Sequence, residues 1–247
     1  MKIRSLLPRL SVVVILTGLG VWCYRQLVRP SLPPSGPRTV AQIMKSLGPA
    51  VDSKLAPVFQ RAGVSYPPKQ ITLIAFKAEK RLEIFASNES AAAKPPHSFR
   101  FIFSRPILAA SGGAGPKLRE GDRQVPEGFY RIELLNPNSR FHLSLRVNYP
   151  NDDDIRHAME EDRSIASLGG DIMIHGGAAS VGCLAMGDPA VEELFILAAR
   201  TGLDNISLLI VPWDFRAGKT PELPPDPPPW TTDRHEALRQ ALEGFSL

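Results

Sequence analysis

Short segments rich in β-branched and aromatic residues recur through the middle of this chain and constrain its fold more than any other feature. Clusters of glycine, proline and asparagine separate these segments, as is typical of strands joined by turns. Their density predicts a mainly β domain. The predicted strands are Gln70–Lys77, Arg81–Ser87, Phe99–Ser104, Gly128–Leu135, Phe141–Asn148, Asp171–His175 and Ile206–Trp213.

Apolar residues at helical spacing flank the β region on both sides. The stretch 39–63 has this spacing, and Pro49 and Pro57 inside it predict a break into two short helices. A single helix is predicted over Pro189–Arg200, and Gly202 is expected to end it. The predicted fold class is therefore mainly β with flanking helices, an α+β domain.

Charge separates the N-terminus from the rest of the chain. The protein has 247 residues and a net charge of +4. Five of its 29 basic residues and none of its 25 acidic residues fall within 1–29, which leaves 24 basic against 25 acidic residues in the remainder. Because the remainder is almost neutral, no nucleic-acid partner is expected.

The N-terminal segment has the pattern of an export signal. Three basic residues precede an apolar run from Leu10 to Tyr24, which is the order found in a secretory leader. No small-residue cleavage motif follows. We therefore expect an uncleaved signal-anchor that holds the protein in the inner membrane through residues 10–28, with the remainder in the periplasm. The alternatives are a cleaved signal peptide with a secreted protein, and a buried N-terminal helix.

Composition divides the rest of the chain. The predicted parts are a leader or anchor over 1–29, a proline-rich linker over 30–38, a helical segment over 39–66, a β-rich catalytic domain over 67–216 and a proline-rich tail over 217–247. Six prolines between Pro221 and Pro229 predict that the tail is extended, with a short helix at Ala237–Leu242.

Cysteine usage directs attention to one residue. Cys23 lies in the apolar leader, so the exported domain contains a single cysteine, Cys183. In an oxidising compartment this thiol has no disulfide partner within its domain. Most single cysteines are inert and buried, so the residues around Cys183 must decide whether it is reactive.

The stretch GDIMIHGGAASVGCLAMGD, residues 170–188, places a histidine and this cysteine on either side of a glycine-rich loop. A short buried strand ends at His175, and the loop can return Cys183 to hydrogen-bond reach of the imidazole. Such a pair is expected to shift towards thiolate and imidazolium. No CxxC or HxxxH pattern accompanies it, so neither a metal nor a cofactor is expected.

This stretch resembles the signature of the L,D-transpeptidase catalytic domain (YkuD) family and, in its details, the YafK-type branch. The shared pattern is His175-Gly176, a loop, and then Ser180-Val181-Gly182-Cys183. Further similar stretches are GPKLREGDRQVPEGFY (115–130), LNPNSRFHLSLRVNYPNDDD (135–154) and GCLAMGD (182–188). The resemblance covers about 70–213 and implies an L,D-transpeptidase-like β-sandwich or barrel with a helix after the cysteine.

The resemblance implies a role for each residue of the motif. Cys183 would be the nucleophile that forms a thioester with a carbonyl of a peptidoglycan stem peptide, and His175 would be the general base. The backbone N–H groups of Gly182 and Cys183 would stabilise the oxyanion. The sequence places no carboxylate as a third member, so we expect a backbone carbonyl such as that of Gly176 to orient the imidazole, and Ser180 to hold the loop by hydrogen bonds.

Three features depart from the broader family pattern. The spacing from His175 to Cys183 is short, and Val181 stands where a second histidine is common. Ala185 stands where an arginine is common, which leaves the contact with the peptide donor without its usual residue.

Other polar residues are weaker candidates. We expect Lys117, Glu127 and His142 to line the substrate groove, the alternative being solvated positions without a role. Asp188 is interpreted as a helix cap, and Asp152–Asp154 as a solvated turn rather than a calcium site. Three further histidines are expected at the surface: His97, His157 and His235.

Three functions are compatible with this site. The first is a peptidoglycan L,D-transpeptidase that acts in cell-wall biogenesis and remodelling. The second uses the same thioester but ends in water, as an amidase or endopeptidase that cleaves L,D-type crosslinks or links between a protein and the wall. The third is a peptidoglycan-binding module without catalysis, for which a paired cysteine and histidine would be unnecessary.

Overall fold

The computed structural model describes residues 36–90, 98–218 and 223–246. The predicted leader, most of the linker and His97 lie outside these residues, so export, leader cleavage and membrane anchoring stay predictions. Within the described ranges, no helix is both long enough and apolar enough to cross a membrane.

Nine strands form one mixed sheet in the described residues. They are β1 (Gln70–Phe76), β2 (Arg81–Ser87), β3 (Arg100–Pro106), β4 (Ala109–Ala110), β5 (Gly128–Asn136), β6 (Ser144–Val147), β7 (Met173–His175), β8 (Leu184–Ala185) and β9 (Ile206–Val211). Their order across the sheet is β3-β2-β1-β9-β5-β6-β7-β8-β4. The pairs β1–β9 and β7–β8 are parallel, and the other neighbours are antiparallel.

Four α-helices accompany the sheet in the described residues: α1 (Val40–Arg61), α2 (Asp152–Glu160), α3 (Asp188–Thr201) and α4 (Thr231–Leu242). The predicted fold class, mainly sheet with flanking helices, is confirmed. The predicted break in the first helix is wrong, because α1 continues through Pro49 and Pro57. Both prolines are exposed, whereas an apolar stripe that includes Leu55 and Phe59 is fully buried along the opposite face. Burial of that stripe outweighs the cost of the two prolines.

The two faces of the sheet have different coverings. Residues of α1 and α3 join the inner face in the main hydrophobic core. On the outer face, Leu238 and Leu242 of α4 form a smaller core with residues of β1, β2 and β9. The outer face of β5 and β6 is open, and Phe129 and Leu134 on β5 are 46% and 48% exposed.

The C-terminal segment is packed from Thr231 onward. Its helix begins six residues before the predicted start at Ala237, and its Leu238 is completely buried. The expected surface position of His235 is wrong, since this side chain lies in the interior below α4. The expectation for His157 is also wrong, because Trp230 stacks on its ring at 4.2 Å between ring centres.

The acidic run that was interpreted as a solvated turn is the first turn of α2. Asn151 caps this helix, because its side chain accepts the backbone N–H of Asp154 at 3.0 Å. Acidic residues are favourable at a helix N-terminus, where backbone N–H groups are unpaired. The run therefore has a structural explanation that needs no calcium.

Candidate active site

Two neighbouring parallel strands bring His175 and Cys183 into one cleft. In the pairing of β7 with β8, His175 lies opposite Ala185. Cys183, which immediately precedes β8, therefore lies beside Met173. Since side chains alternate along a strand, His175 and Cys183 project from the same face of the sheet. Both line a cleft of about 650 Å³, together with Ser144 of the adjoining strand β6.

The imidazole of His175 is held in one tautomer. Its Nδ1 lies 2.6 Å from the carbonyl oxygen of Gly176, and since a carbonyl only accepts, Nδ1 carries the proton. The ring of Phe141 stacks on the imidazole at 4.6 Å between centres. Burial lowers the pKa of His175, and the hydrogen bond to Gly176 opposes this only in part. The ring is therefore neutral near pH 7, and its Nε2 can take a proton.

The thiol of Cys183 is also neutral in this structure. Its Sγ lies 3.7 Å from the carbonyl oxygen of Asp171, to which the S–H donates. Burial raises the pKa of Cys183, and the backbone of Met173 opposes that shift only in part. The free site therefore holds a neutral thiol and a neutral imidazole, which differs from the thiolate–imidazolium pair expected from sequence.

Two serine hydroxyls engage the backbone N–H groups that were expected to form the oxyanion site. The N–H of Cys183 donates to Ser180 Oγ at 2.9 Å, and the same hydroxyl donates to the Cys183 carbonyl at 2.6 Å. The N–H of Gly182 donates to Ser111 Oγ at 2.6 Å. Ser180 thus bridges the N–H and the carbonyl of Cys183, and both N–H groups already have acceptors in this structure.

The glycine after the histidine is required by close packing. A Cβ at position 176 would lie 2.5 Å from both the carbonyl oxygen of Phe141 and the carboxylate of Asp188. That carboxylate accepts the backbone N–H of Gly177 at 2.9 Å. The interpretation of Asp188 as a helix cap is wrong, since Gly187 occupies the cap position of α3. Asp188 instead ties the glycine loop to the start of the helix.

The structure does not bring Lys117 to the wall of this cleft. Its ammonium donates to the carboxylate of Asp122 and to the carbonyl of Arg119, both at 2.7 Å. Only 8% of the residue is exposed. Lys117 therefore holds its own loop closed and does not line the cleft, although its positive charge is near enough to Cys183 to oppose the rise in the pKa of the thiol.

Glu127 and His142 also lie away from the cleft wall. Glu127 is completely buried and accepts from Lys77 at 2.8 Å, from the Gly115 backbone at 2.7 Å and from His235 at 2.7 Å. His142 is half-buried and hydrogen-bonds Glu192 of α3 at 2.8 Å. Both side chains therefore have structural partners, and the expectation that they line the groove is not met.

Several residues at the site carry no recognisable signal in the sequence. Ser111, in a glycine-rich turn, reaches Gly182 across 71 positions of the chain. Asp171 contributes its backbone carbonyl, and its φ of 56° is a left-handed conformation uncommon for a residue other than glycine. Phe141 was assigned to a strand but lies in the loop before β6. Among the described residues, no group of three or more His, Cys, Asp or Glu side chains is arranged to hold a metal.

Fold and site together define a cysteine–histidine domain of the L,D-transpeptidase class. The model of the YkuD family, the L,D-transpeptidase catalytic domain, matches residues 71–204. Because this match covers more than half of the chain, the protein belongs to that family.

A particular relative is the Escherichia coli K12 protein named "Putative L,D-transpeptidase YafK". It is 34% identical over 122 residues, which are 49% of this chain and 44% of the relative. The match therefore spans less than half the length of that relative.

Solved structures with a similar fold include the helical cell shape determining protein Pgp2 of Campylobacter jejuni, with 18% identity and a TM-score of 0.45 over 59% of this chain and 48% of that one. Another is L,D-transpeptidase 1 of Mycobacterium tuberculosis, with 13% identity and a TM-score of 0.31 over 57% of this chain and 62% of that one.

Proposed function

We propose that this protein is a peptidoglycan L,D-transpeptidase that acts through a thioester on Cys183. The observation that carries the proposal is the placement of Cys183 and His175 on one face of neighbouring strands, in one cleft, with the unprotonated Nε2 of His175 available as a base. Membership of the family supports the reaction class and the stem-peptide substrate.

In the first half-reaction the thiol turns from the Asp171 carbonyl towards the imidazole. His175 Nε2 takes the thiol proton while Sγ attacks a carbonyl carbon of the stem peptide. The tetrahedral intermediate then breaks its C–N bond, and the imidazolium gives its proton to the leaving amine. The product is a thioester on Cys183 and a neutral imidazole.

In the second half-reaction an amine of another stem peptide attacks the thioester. His175 takes a proton from this amine, the C–S bond breaks, and the sulfur recovers the proton. The oxyanion in each step needs hydrogen-bond donors. We propose that it displaces Ser180 Oγ from the N–H of Cys183, since a negatively charged acceptor forms a stronger hydrogen bond than a hydroxyl.

Hydrolysis of the same thioester is the second candidate, and the openness of the cleft favours it. Val181, two residues before the nucleophile, is 71% exposed, and Cys183 itself is half-buried. Water therefore has access to the acyl group in the absence of an amine. The result would be an amidase or endopeptidase with the same acyl-enzyme.

A periplasmic location is part of the same proposal. The basic and apolar N-terminal segment supports export to the periplasm with an anchor in the inner membrane. That compartment is where a peptidoglycan substrate is available.

The nucleophile is tested by mass spectrometry of the purified protein after incubation with a carbapenem. We expect one covalent adduct on the peptide that contains Cys183, and none on Cys183→Ala. A Cys183→Ala protein that still turns over stem peptides would refute the assignment. Binding to sacculi without any adduct would instead indicate a binding module without catalysis.

Transfer and hydrolysis are separated by the products formed from a tetrapeptide donor with and without an amine acceptor. A crosslinked product that requires the acceptor supports transpeptidation. Shortened donor alone, formed at the same rate with and without the acceptor, would refute it and establish the hydrolase.

A further inference from the structure

A positive charge without a carboxylate partner lines the catalytic cleft. Arg140 lies on the same cleft wall as Phe141 and is exposed. No ion pair joins its guanidinium to a carboxylate in the part of the chain that the structure describes. Guanidinium groups bind carboxylates through two parallel hydrogen bonds, so a free one beside a reactive thiol has the chemistry of a carboxylate subsite.

The other charged side chain that lines this cleft, Asp171, is exposed and has one long ionic contact. Asp171 lies 3.5 Å from Arg146 of β6, which also pairs with Glu133 of β5 at 2.8 Å. The remaining cleft-lining residues are uncharged apart from His175, whose ring is neutral near pH 7. Within this lining, Arg140 is therefore the cation whose guanidinium has no carboxylate partner among the described residues and is free to take one from a substrate.

The loop that carries Arg140 is fixed at its flanks by the segment before α1. Asn138 accepts the backbone N–H of Arg38 at 2.7 Å and donates to its carbonyl at 2.8 Å. The guanidinium of Arg38 donates to the carbonyl of His142 at 2.8 Å. Within the loop, Ser139 Oγ accepts the backbone N–H of Phe141 at 3.1 Å. The backbone at position 140 is thus held from both sides.

We propose that Arg140 is a specificity-determining residue that binds one carboxylate of the peptide substrate and so aligns the scissile carbonyl with Cys183. This inference rests on the proposed function. It adds a requirement for a carboxylate on the substrate, which the reaction of Cys183 and His175 does not by itself need. A peptide in which that carboxylate is a carboxamide fits the cleft but loses the ion pair.

The test is peptide binding to the Cys183→Ala protein, which needs no turnover. The ligands are a stem tetrapeptide and its derivatives, in each of which one carboxylate is a carboxamide. We expect one amidated derivative to bind about ten- to a hundredfold more weakly than the parent. When Arg140→Ala is combined with Cys183→Ala, the parent tetrapeptide should bind as weakly as that amidated derivative. Arg140→Lys in the same background should restore part of the difference in affinity between the two peptides.

The matched control is Arg131→Ala. Arg131 is also exposed and without a carboxylate partner among the described residues, but it lines a separate cleft on β5. We expect removal of the Arg131 side chain to leave the difference in affinity between the parent and the amidated peptide unchanged. Equal weakening of every derivative by Arg140→Ala, or equal effects of both arginine variants, would overturn the subsite. Failure of every peptide to bind would instead count against the proposed function.

Discussion

His175 and His235 are almost equally buried, with 3% and 7% of each residue exposed, yet they lie in regions with different organisation. His175 stands at the end of β7 beside an open cleft and hydrogen-bonds a backbone carbonyl. His235 lies below α4, hydrogen-bonds the carboxylate of Glu127 and packs edge-on against Trp213.

The difference lies in the partners rather than in the burial. A neutral carbonyl fixes the orientation of His175 and leaves its other nitrogen to exchange protons with a ligand. Glu127, by contrast, joins His235 to Lys77 in a buried ionic cluster. Burial of Glu127 alone would raise its pKa, but Lys77 and His235 outweigh that effect and lower it. The first region is available for chemistry, whereas the second fastens the C-terminal helix to the sheet.

Replacing each histidine by glutamine should separate the two regions most clearly. We expect His175→Gln to lower kcat/KM by about 10²- to 10⁴-fold, the usual contribution of a general base, with little change in thermal stability. His235→Gln should destabilise the fold by about 1–3 kcal/mol through weakened contact with Glu127 and leave turnover per folded molecule unchanged. Activity and thermal unfolding are measured on both variants. A stable but inactive His235→Gln protein would contradict the comparison.

Glu127→Gln tests the ionic cluster directly. The change leaves the ammonium of Lys77 buried without its counter-charge, so we expect a loss of about 3–5 kcal/mol in the free energy of unfolding. Because the pKa of Glu127 is lowered by folding, its contribution is complete above the ordinary carboxyl range and is lost as the pH falls through the lowered value. At acidic pH, the free energy of unfolding of the variant should therefore depend less on pH than that of the wild-type protein.

The matched control is Glu133→Gln, which removes an exposed carboxylate paired with Arg146. Surface pairs contribute at most about 1 kcal/mol, so denaturant unfolding should show a much smaller change. If Glu127→Gln is as stable as Glu133→Gln but binds substrate poorly, Glu127 is a groove residue after all.

The sequence predicted the features that depend on local pattern. Seven of the nine strands, the helix α3 and its end at Gly202 follow from periodicity and turn residues. The hydrogen bond from His175 to the Gly176 carbonyl joins neighbouring residues, so a contact of this kind is open to prediction from sequence. Family membership was correctly inferred because the motif around Cys183 is contiguous.

The features that were missed depend on contacts between distant segments. The strands β4 and β8 have two residues each, which is too short for a periodic pattern. Ser111 and Asp188 contact the glycine loop through the tertiary fold, from positions distant in sequence. In the sequence, Glu127 has the pattern of a polar loop residue, because nothing local indicates that His235 of α4 contacts it. Burial of α1 against the core is what keeps it continuous across its two prolines.

The protonation state of the site gives a prediction about thiol reactivity. Since burial raises the pKa of Cys183, its thiol is less ionised at pH 7 than that of a free cysteine, whose pKa is about 8.5. Iodoacetamide labelling of the Cys183 peptide, followed by mass spectrometry, should be more than about thirtyfold slower at pH 7 than at its alkaline limit. A preformed thiolate–imidazolium pair would instead label rapidly down to mildly acidic pH.

The pH dependence of turnover should follow the titration of a different group, His175. Because burial lowers the pKa of His175, the acid limb of kcat/KM should lie below the ordinary histidine value of about 6.5. Activity should therefore be complete at a pH where labelling is still slow. Coincident profiles for labelling and turnover would show that the free enzyme reacts as the thiolate.

The smallest effect is expected from Ser180→Ala. Its hydroxyl bridges the N–H and the carbonyl of Cys183, and two such hydrogen bonds contribute about 1 kcal/mol each. Their loss loosens the turn that holds the proposed nucleophile. This effect opposes the gain in oxyanion binding from a Cys183 N–H that no longer has a competing acceptor. If positioning dominates, the rate of acylation by a carbapenem falls about tenfold. If competition for the N–H dominates, the rate rises. The main effect of the Ser180 hydroxyl would then be to weaken oxyanion binding rather than to stabilise the turn. Ser139→Ala, which removes the hydrogen bond to Phe141 in the loop across the cleft, serves as the control and should change that rate less.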